Sequence, residues 1–136
     1  MPLISNSSTL ILLSKIELLR IWVDHAEKII ISEEVYQETV LHKKEYDSLL
    51  IKRLVDEKKI TIEKAPKDRI HKSMKDFHLD LGEAAAYALF NPKYHTALMT
   101  DDGELIKLCK LEEIPFLSSM AIVIALYQKK YLNKIQ

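Results

Sequence analysis

The chain has 136 residues, and its 20 Lys and Arg balance its 20 Asp and Glu to a formal net charge of zero. One domain over residues 1–136 with a real core is expected at this length, and the charge balance argues against a basic nucleic-acid coat or an acidic tail. A hydrophobic content of 48% excludes a disordered chain, two glycines (Gly82 and Gly103) exclude glycine-rich dinucleotide and phosphate loops, and one cysteine excludes an internal disulfide or a Cys-cluster zinc site.

The start, Met1 to Ser8, has no charged leader-like region. The longest apolar run, Met120 to Tyr127, is far below the ~18 residues needed to span a bilayer. A cytoplasmic protein with no membrane segment is therefore expected. Leu3-Ile4 predicts a first strand that ends at Ser5-Asn6-Ser7-Ser8. Ile29-Ile30-Ile31 predicts a second. Ser32 ahead of Glu33-Glu34 then starts a helix that carries Glu38 beside its Val35/Thr39 face. Tyr46, Leu49, Leu50 and Leu54 form one apolar helical stripe. Ile60-Thr61-Ile62 predicts a third strand. Asp80-Leu81-Gly82-Glu83 fits a capping box that opens another helix. Thr96 to Thr100 predicts a fourth strand. Asp101 with Glu104 follows as a helix start, and Leu105, Leu108 and Cys109 form the stripe of that helix. Ile114 to Leu117 predicts a fifth strand. Ser118-Ser119 then starts a last helix through Ile122, Leu126 and Tyr127, ending at Lys129-Lys130, where cations suit the helix dipole.

Short aliphatic strands alternating with helices predict an α/β fold: three α/β/α layers around a central parallel five-stranded sheet. In such sheets ligands collect beyond the carboxyl ends of the strands, at the topological switch point. Asn6, Ser8, Glu38, Glu83, Asp101 and Asp102 all fall at elements that can converge on such an edge. Hard oxygen donors of this kind suit Mg²⁺ or Mn²⁺ and not zinc. Such ions generate bound hydroxide and clamp a phosphodiester. Each residue also has an ordinary local role. Glu83 completes a box with Asp80, Asp101 is a candidate N-cap, and Asp102 suits a helix first turn. Glu38 suits a surface, and Asn6 and Ser8 suit a turn.

Four segments in order, Ile4-Ser5-Asn6-Ser7-Ser8-Thr9-Leu10-Ile11, Ile31 to Glu38, Leu79 to Ala84, and Leu98 to Asp102, make the chain resemble a PIN domain. This is the metal-dependent ribonuclease fold of VapC-like toxins. Small prokaryotic PIN proteins with a Ser-Asn-Ser-Ser type start are most similar, and the likeness runs from Leu3 to about Leu132. The resemblance implies catalytic and metal-holding roles for Glu38, Glu83 and Asp101, with Asp102 as the other candidate of that pair. Asn6 stands at the family's first acid and Ser8 at its small hydroxyl residue. The resemblance further implies an Mg²⁺ or Mn²⁺ cofactor, an RNA substrate, an antitoxin partner and a homodimer. Asn6 departs from the pattern: it keeps a carbonyl but removes a negative charge. That departure motivates a second reading, a PIN fold that binds RNA or protein without cutting. A receiver-like phosphoacceptor domain is a third, argued against by Ser5-Asn6 where its acidic pair belongs.

Residues 42 to 76 hold eleven Lys and Arg against seven Asp and Glu, and the remainder of the chain is net acidic by the same margin. A phosphate-holding surface and a solvated helix face both fit that segment. The five histidines show no zinc spacing, and His78 is expected at the surface. Cys109 and Trp22 are expected in the core.

Overall fold

The computed structural model describes residues 1–26, 28–41 and 46–130, with the side chain of Tyr46 not among them. His42, Leu132 and Lys134, and the first four residues of the basic segment, lie outside the described residues.

Five strands, β1 (Leu3–Ser5), β2 (Ile29–Ser32), β3 (Ile60–Glu63), β4 (Ala97–Met99) and β5 (Phe116–Leu117), form one sheet in the order β3-β2-β1-β4-β5. Every pairing is parallel. Each expected strand is present. β4 and β5 are shorter than their apolar runs, because Thr100 and Ile114 lie beyond the paired residues.

Helices cover both faces. Strand side chains alternate in direction, so Leu3, Ile29, Ile31 and Met99 join one apolar core while Ile4, Ile30 and Leu98 join the other. The first core is closed by α1 (Ser7–Lys15), α2 (Leu19–His25), α4 (Tyr46–Asp56) and α8 (Ser119–Gln128). The second is closed by α5 (Lys67–Phe77), α6 (Leu81–Leu89) and α7 (Gly103–Leu111). This is the expected three-layer α/β/α arrangement. Trp22 and Cys109 are buried in these cores, and His78 is exposed at the end of α5. Among the described residues no helix is long and apolar enough to cross a membrane.

Helix starts follow local chemistry. Ser32 caps α3 (Glu33–Tyr36) by accepting from the Val35 N–H at 3.0 Å, and Ser118 caps α8 through the Ala121 N–H. A π-helical stretch, Gln37–Leu41, continues directly from α3. Buried Ala84, Ala85, Ala86 and Ala88 let α6 lie close against its neighbours. One expected start shifts by a residue: Asp102, not Asp101, caps α7. The stripe of α5 (Ile70, Ser73, Met74 and Phe77) and the helix that follows Asn6 at once were not read from sequence.

Leu98 is fully enclosed, whereas Leu111 is 75% exposed. Leu98→Ala is expected to cost about 2 to 5 kcal/mol of stability and Leu111→Ala no more than about 0.5 kcal/mol, measured by urea unfolding.

Candidate active site

The sheet order creates a topological switch point. β1, β2 and β3 step outward in one direction, and the chain then returns to place β4 on the other side of β1. β1 and β4 therefore diverge at their carboxyl ends, where such folds open a crevice. The Asn6 N–H donates to the Met99 carbonyl at 2.9 Å, extending the β1–β4 ladder by one bond. Asn6 and Thr100 then stand side by side, both buried. Asn6 Nδ2 donates to Thr100 Oγ1 at 3.3 Å, and the Asp102 N–H donates to the same oxygen at 3.0 Å. One hydroxyl thus orients both the end of β1 and the turn after β4.

Asp102 opens α7. Its Oδ1 accepts from the Glu104 N–H at 3.0 Å and the Leu105 N–H at 3.4 Å. Across from it, Glu83 sits in the first turn of α6 inside a complete capping box. Asp80 Oδ1 accepts from the Glu83 N–H, and Glu83 Oε1 accepts from the Asp80 N–H, both at 2.8 Å. The other oxygen, Oε2, is buried with no protein donor. Burial first, and then a hydrogen bond with Asp102, push the Glu83 carboxyl up to about 8. The same bond holds Asp102 below the usual carboxylate range. Two carboxyl groups that close cannot both ionise cheaply, so one proton is held on Glu83 and shared toward Asp102.

Glu38 reaches the same place from the π-helical stretch, an irregularity frequent at functional sites. Its carboxylate lies on the backbone of Gly82. A Cβ at Gly82 would sit 1.6 Å from Glu38 Oε1 and 2.7 Å from its Cδ. Gly82 is thus required by a close approach and not by a left-handed backbone, since neither glycine has positive φ. α6 thus meets the Glu38 carboxylate at Gly82 and carries Glu83, which faces Asp102.

Asp101 faces elsewhere. Its Oδ2 accepts from Thr9 Oγ1 at 2.7 Å. The Ser119 N–H donates to both carboxylate oxygens at 3.0 Å, and Ser119 Oγ donates to Oδ1 at 2.9 Å. The Asp101 N–H donates to Ser8 Oγ at 3.0 Å. Asp101 therefore ties the end of β4 to the starts of α1 and α8. Of the pair that the family resemblance offers, Asp102 rather than Asp101 stands beside Glu83. From sequence Thr100 reads only as a strand end and Ser119 only as a helix start, and Thr9 has no signal of its own. No local pattern links positions some ninety residues apart in β1–α1 and β4, or Asp101 with a serine on another helix.

Among the described residues, no three or more His, Cys, Asp or Glu side chains converge closely enough to hold a metal ion. The Glu83–Asp102 pair nevertheless has the chemistry of a hard-cation site: two carboxylates, a buried oxygen without a donor, and a shared proton that a dication would displace. Asn6 adds an amide carbonyl without charge.

A family model described as a PIN domain matches residues 2–136. The chain belongs to the PIN-domain family, whose fold is of nuclease type. No curated protein matches it significantly. The crystal structure of PAE2754 from Pyrobaculum aerophilum superimposes with a TM-score of 0.64 over 94% of this chain and 96% of that one, at 14% identity. At that identity the likeness supports the shared fold.

Two measurements probe this geometry. Glu83 keeps in the folded state a proton that the unfolded chain releases above its ordinary value of 4.5. Stability in chelator-treated buffer is therefore expected to fall as pH rises from about 4.5 to about 8. Glu83→Gln should flatten that slope in urea unfolding followed across the range. Gly82→Ala must displace Glu38 and is expected to destabilise the fold by about 1 to 3 kcal/mol, with Glu38→Ala in the same chain relieving much of the cost in a double-mutant cycle.

Proposed function

We propose that this chain is a divalent-metal-dependent endoribonuclease, acting as the toxin of a toxin–antitoxin pair in the cytoplasm. The observation that carries the reading is the pair of facing carboxyl groups, Glu83 with its buried, partnerless Oε2 and Asp102 at the start of α7, at the switch point beside Asn6. Glu83 and Asp102 would hold Mg²⁺ or Mn²⁺, with Glu38 approaching over Gly82 and the Asn6 carbonyl as a neutral donor. When bound, such an ion lowers the pKa of its water and stabilises charge on a phosphodiester in transit.

The chain's own residues do the rest. Thr100 fixes Asn6 and Asp102 through one hydroxyl. Ser8 accepts from the Asp101 N–H and keeps its own O–H to orient a phosphate oxygen. Asp101 is a positioning residue that holds the ends of α1 and α8 against β4. Release of the Glu83 proton readies the pair for a cation, so divalent binding should strengthen as pH rises toward about 8. An antitoxin and a second copy of the chain are the partners that the family likeness suggests.

Asn6 favours a second reading, a PIN fold that binds RNA or protein without cutting. Its amide removes one charge from the set, and its Nδ2 is committed to Thr100.

Cleavage of a fluorescent RNA with Mn²⁺ decides between them. Glu83→Gln and Asp102→Asn are expected to cut the rate by more than the about 10- to 100-fold that supporting residues cost, and Asp101→Asn to stay within that range. Equal trace cleavage by wild type and all three variants would sink the catalytic reading. Activity that appears only with Asn6→Asp would establish the non-cutting one.

A further inference from the structure

We infer that the outer edge of β3 is a docking strand for an extended, acidic segment of a partner protein. β3 ends the sheet: β2 pairs with one side, and among the described residues no strand pairs with the other. An open edge presents a row of backbone N–H and C=O groups that a further strand can complete. Here the edge also borders a groove of about 400 Å³ lined by Lys28, Val55, Lys58, Ile60, Thr61 and Ile62. Val55, Thr61 and Ile62 are each half-buried, so an incoming strand would meet side-chain contacts as well as backbone.

Charge identifies the occupant. Three charged pairs beside the groove are matched within the chain, Lys59 with Asp24 at 3.4 Å, Arg20 with Glu57 at 2.7 Å and Lys52 with Asp56 at 2.9 Å, while the acid of β3, Glu63, stands at the opposite, carboxyl end of the strand. Lys28 and Lys58, the two cations lining the groove, have no ion-pair partner among the described residues. Both are exposed and stand at the amino end of the sheet, just before β2 and β3 begin. They lie away from the carboxyl-edge acids, so this surface is separate from the nuclease site. A strand carrying carboxylates opposite them satisfies backbone and charge together, whereas a basic strand would be repelled.

The probe is a labelled hexapeptide alternating valine and glutamate, with its valine–lysine counterpart as control. Fluorescence anisotropy on the full chain at low salt is expected to show saturable binding of the acidic peptide, at least tenfold tighter than the basic one and weakening with added salt. Slowed amide exchange should appear at Ile60 to Glu63. Lys28→Glu with Lys58→Glu should weaken binding at least tenfold. Lys28→Gln with Lys58→Gln, a gentler pair should the reversal disturb the fold, should weaken it severalfold. Equal affinity for both peptides, indifference to either lysine pair, absence of binding, or protection elsewhere than β3 overturns the inference. So does a sedimenting dimer of this chain that Thr61→Pro dissolves, since a second copy would then be the occupant.

Discussion

The pairing of β1 with β4 is the constraint from which the site follows. The two strands run parallel with Ser5 opposite Met99, and the Asn6 N–H continues the ladder onto the Met99 carbonyl. Past that bond the chain leaves the sheet in opposite directions, into α1 on one side and α7 on the other. The candidate site residues Asn6, Glu83 and Asp102 stand around the opening between them. Thr100 is fully buried there, and its hydroxyl accepts from both sides of the opening. A parallel sheet wound in this order must leave a crevice at this point. The residues around it decide whether the crevice is filled by packing or kept polar.

Two consecutive aspartates show how the polarity is divided. Asp101 and Asp102 leave the end of β4 toward different neighbours, because the chain turns there from strand into helix. Asp101 meets Thr9 and Ser119, a ring of donors that satisfies both its oxygens. Asp102 caps α7 with one oxygen and faces Glu83. A satisfied, half-buried carboxylate ties elements together. A carboxylate opposed to another carboxylate does the reverse, storing unfavourable electrostatics that a proton or a cation relieves. The fold thus sets an acid satisfied by donors, Asp101, directly before one that faces another carboxyl, Asp102.

The sequence was legible where the physics is local or periodic. Three isoleucines in a row, Ile29 to Ile31, announce a strand buried on both faces, and D-x-x-E at Asp80 announces the box that the structure forms. The short aliphatic runs and the crossovers between them were enough for a parallel sheet with helices on both sides. What escaped was decided by contacts between distant segments. The choice between Asp101 and Asp102 turns on Ser119, a residue on α8, and no window around position 101 contains it. Gly82 was noted beside Glu83, but the reason for it, the Glu38 carboxylate pressed on its Cα, comes from a different helix. Glu38 itself reads as a surface residue until the π-helical turn redirects it.

Asn6 is the point at which stability and chemistry meet. With an acid there, the opening between β1 and β4 would gather one more negative charge beside Glu83 and Asp102, in a place where Glu83 already holds its proton to about 8. An amide keeps the shape, donates to Thr100 and adds no repulsion, so the fold closes around this opening more easily. The same change weakens the pull on a dication, whose affinity follows the number of charged ligands. The amide at Asn6 therefore shifts the balance of this edge toward stability of the fold and away from charge for a cation. Any affinity of this edge for a dication would then rest on how readily Glu83 gives up its proton beside Asp102.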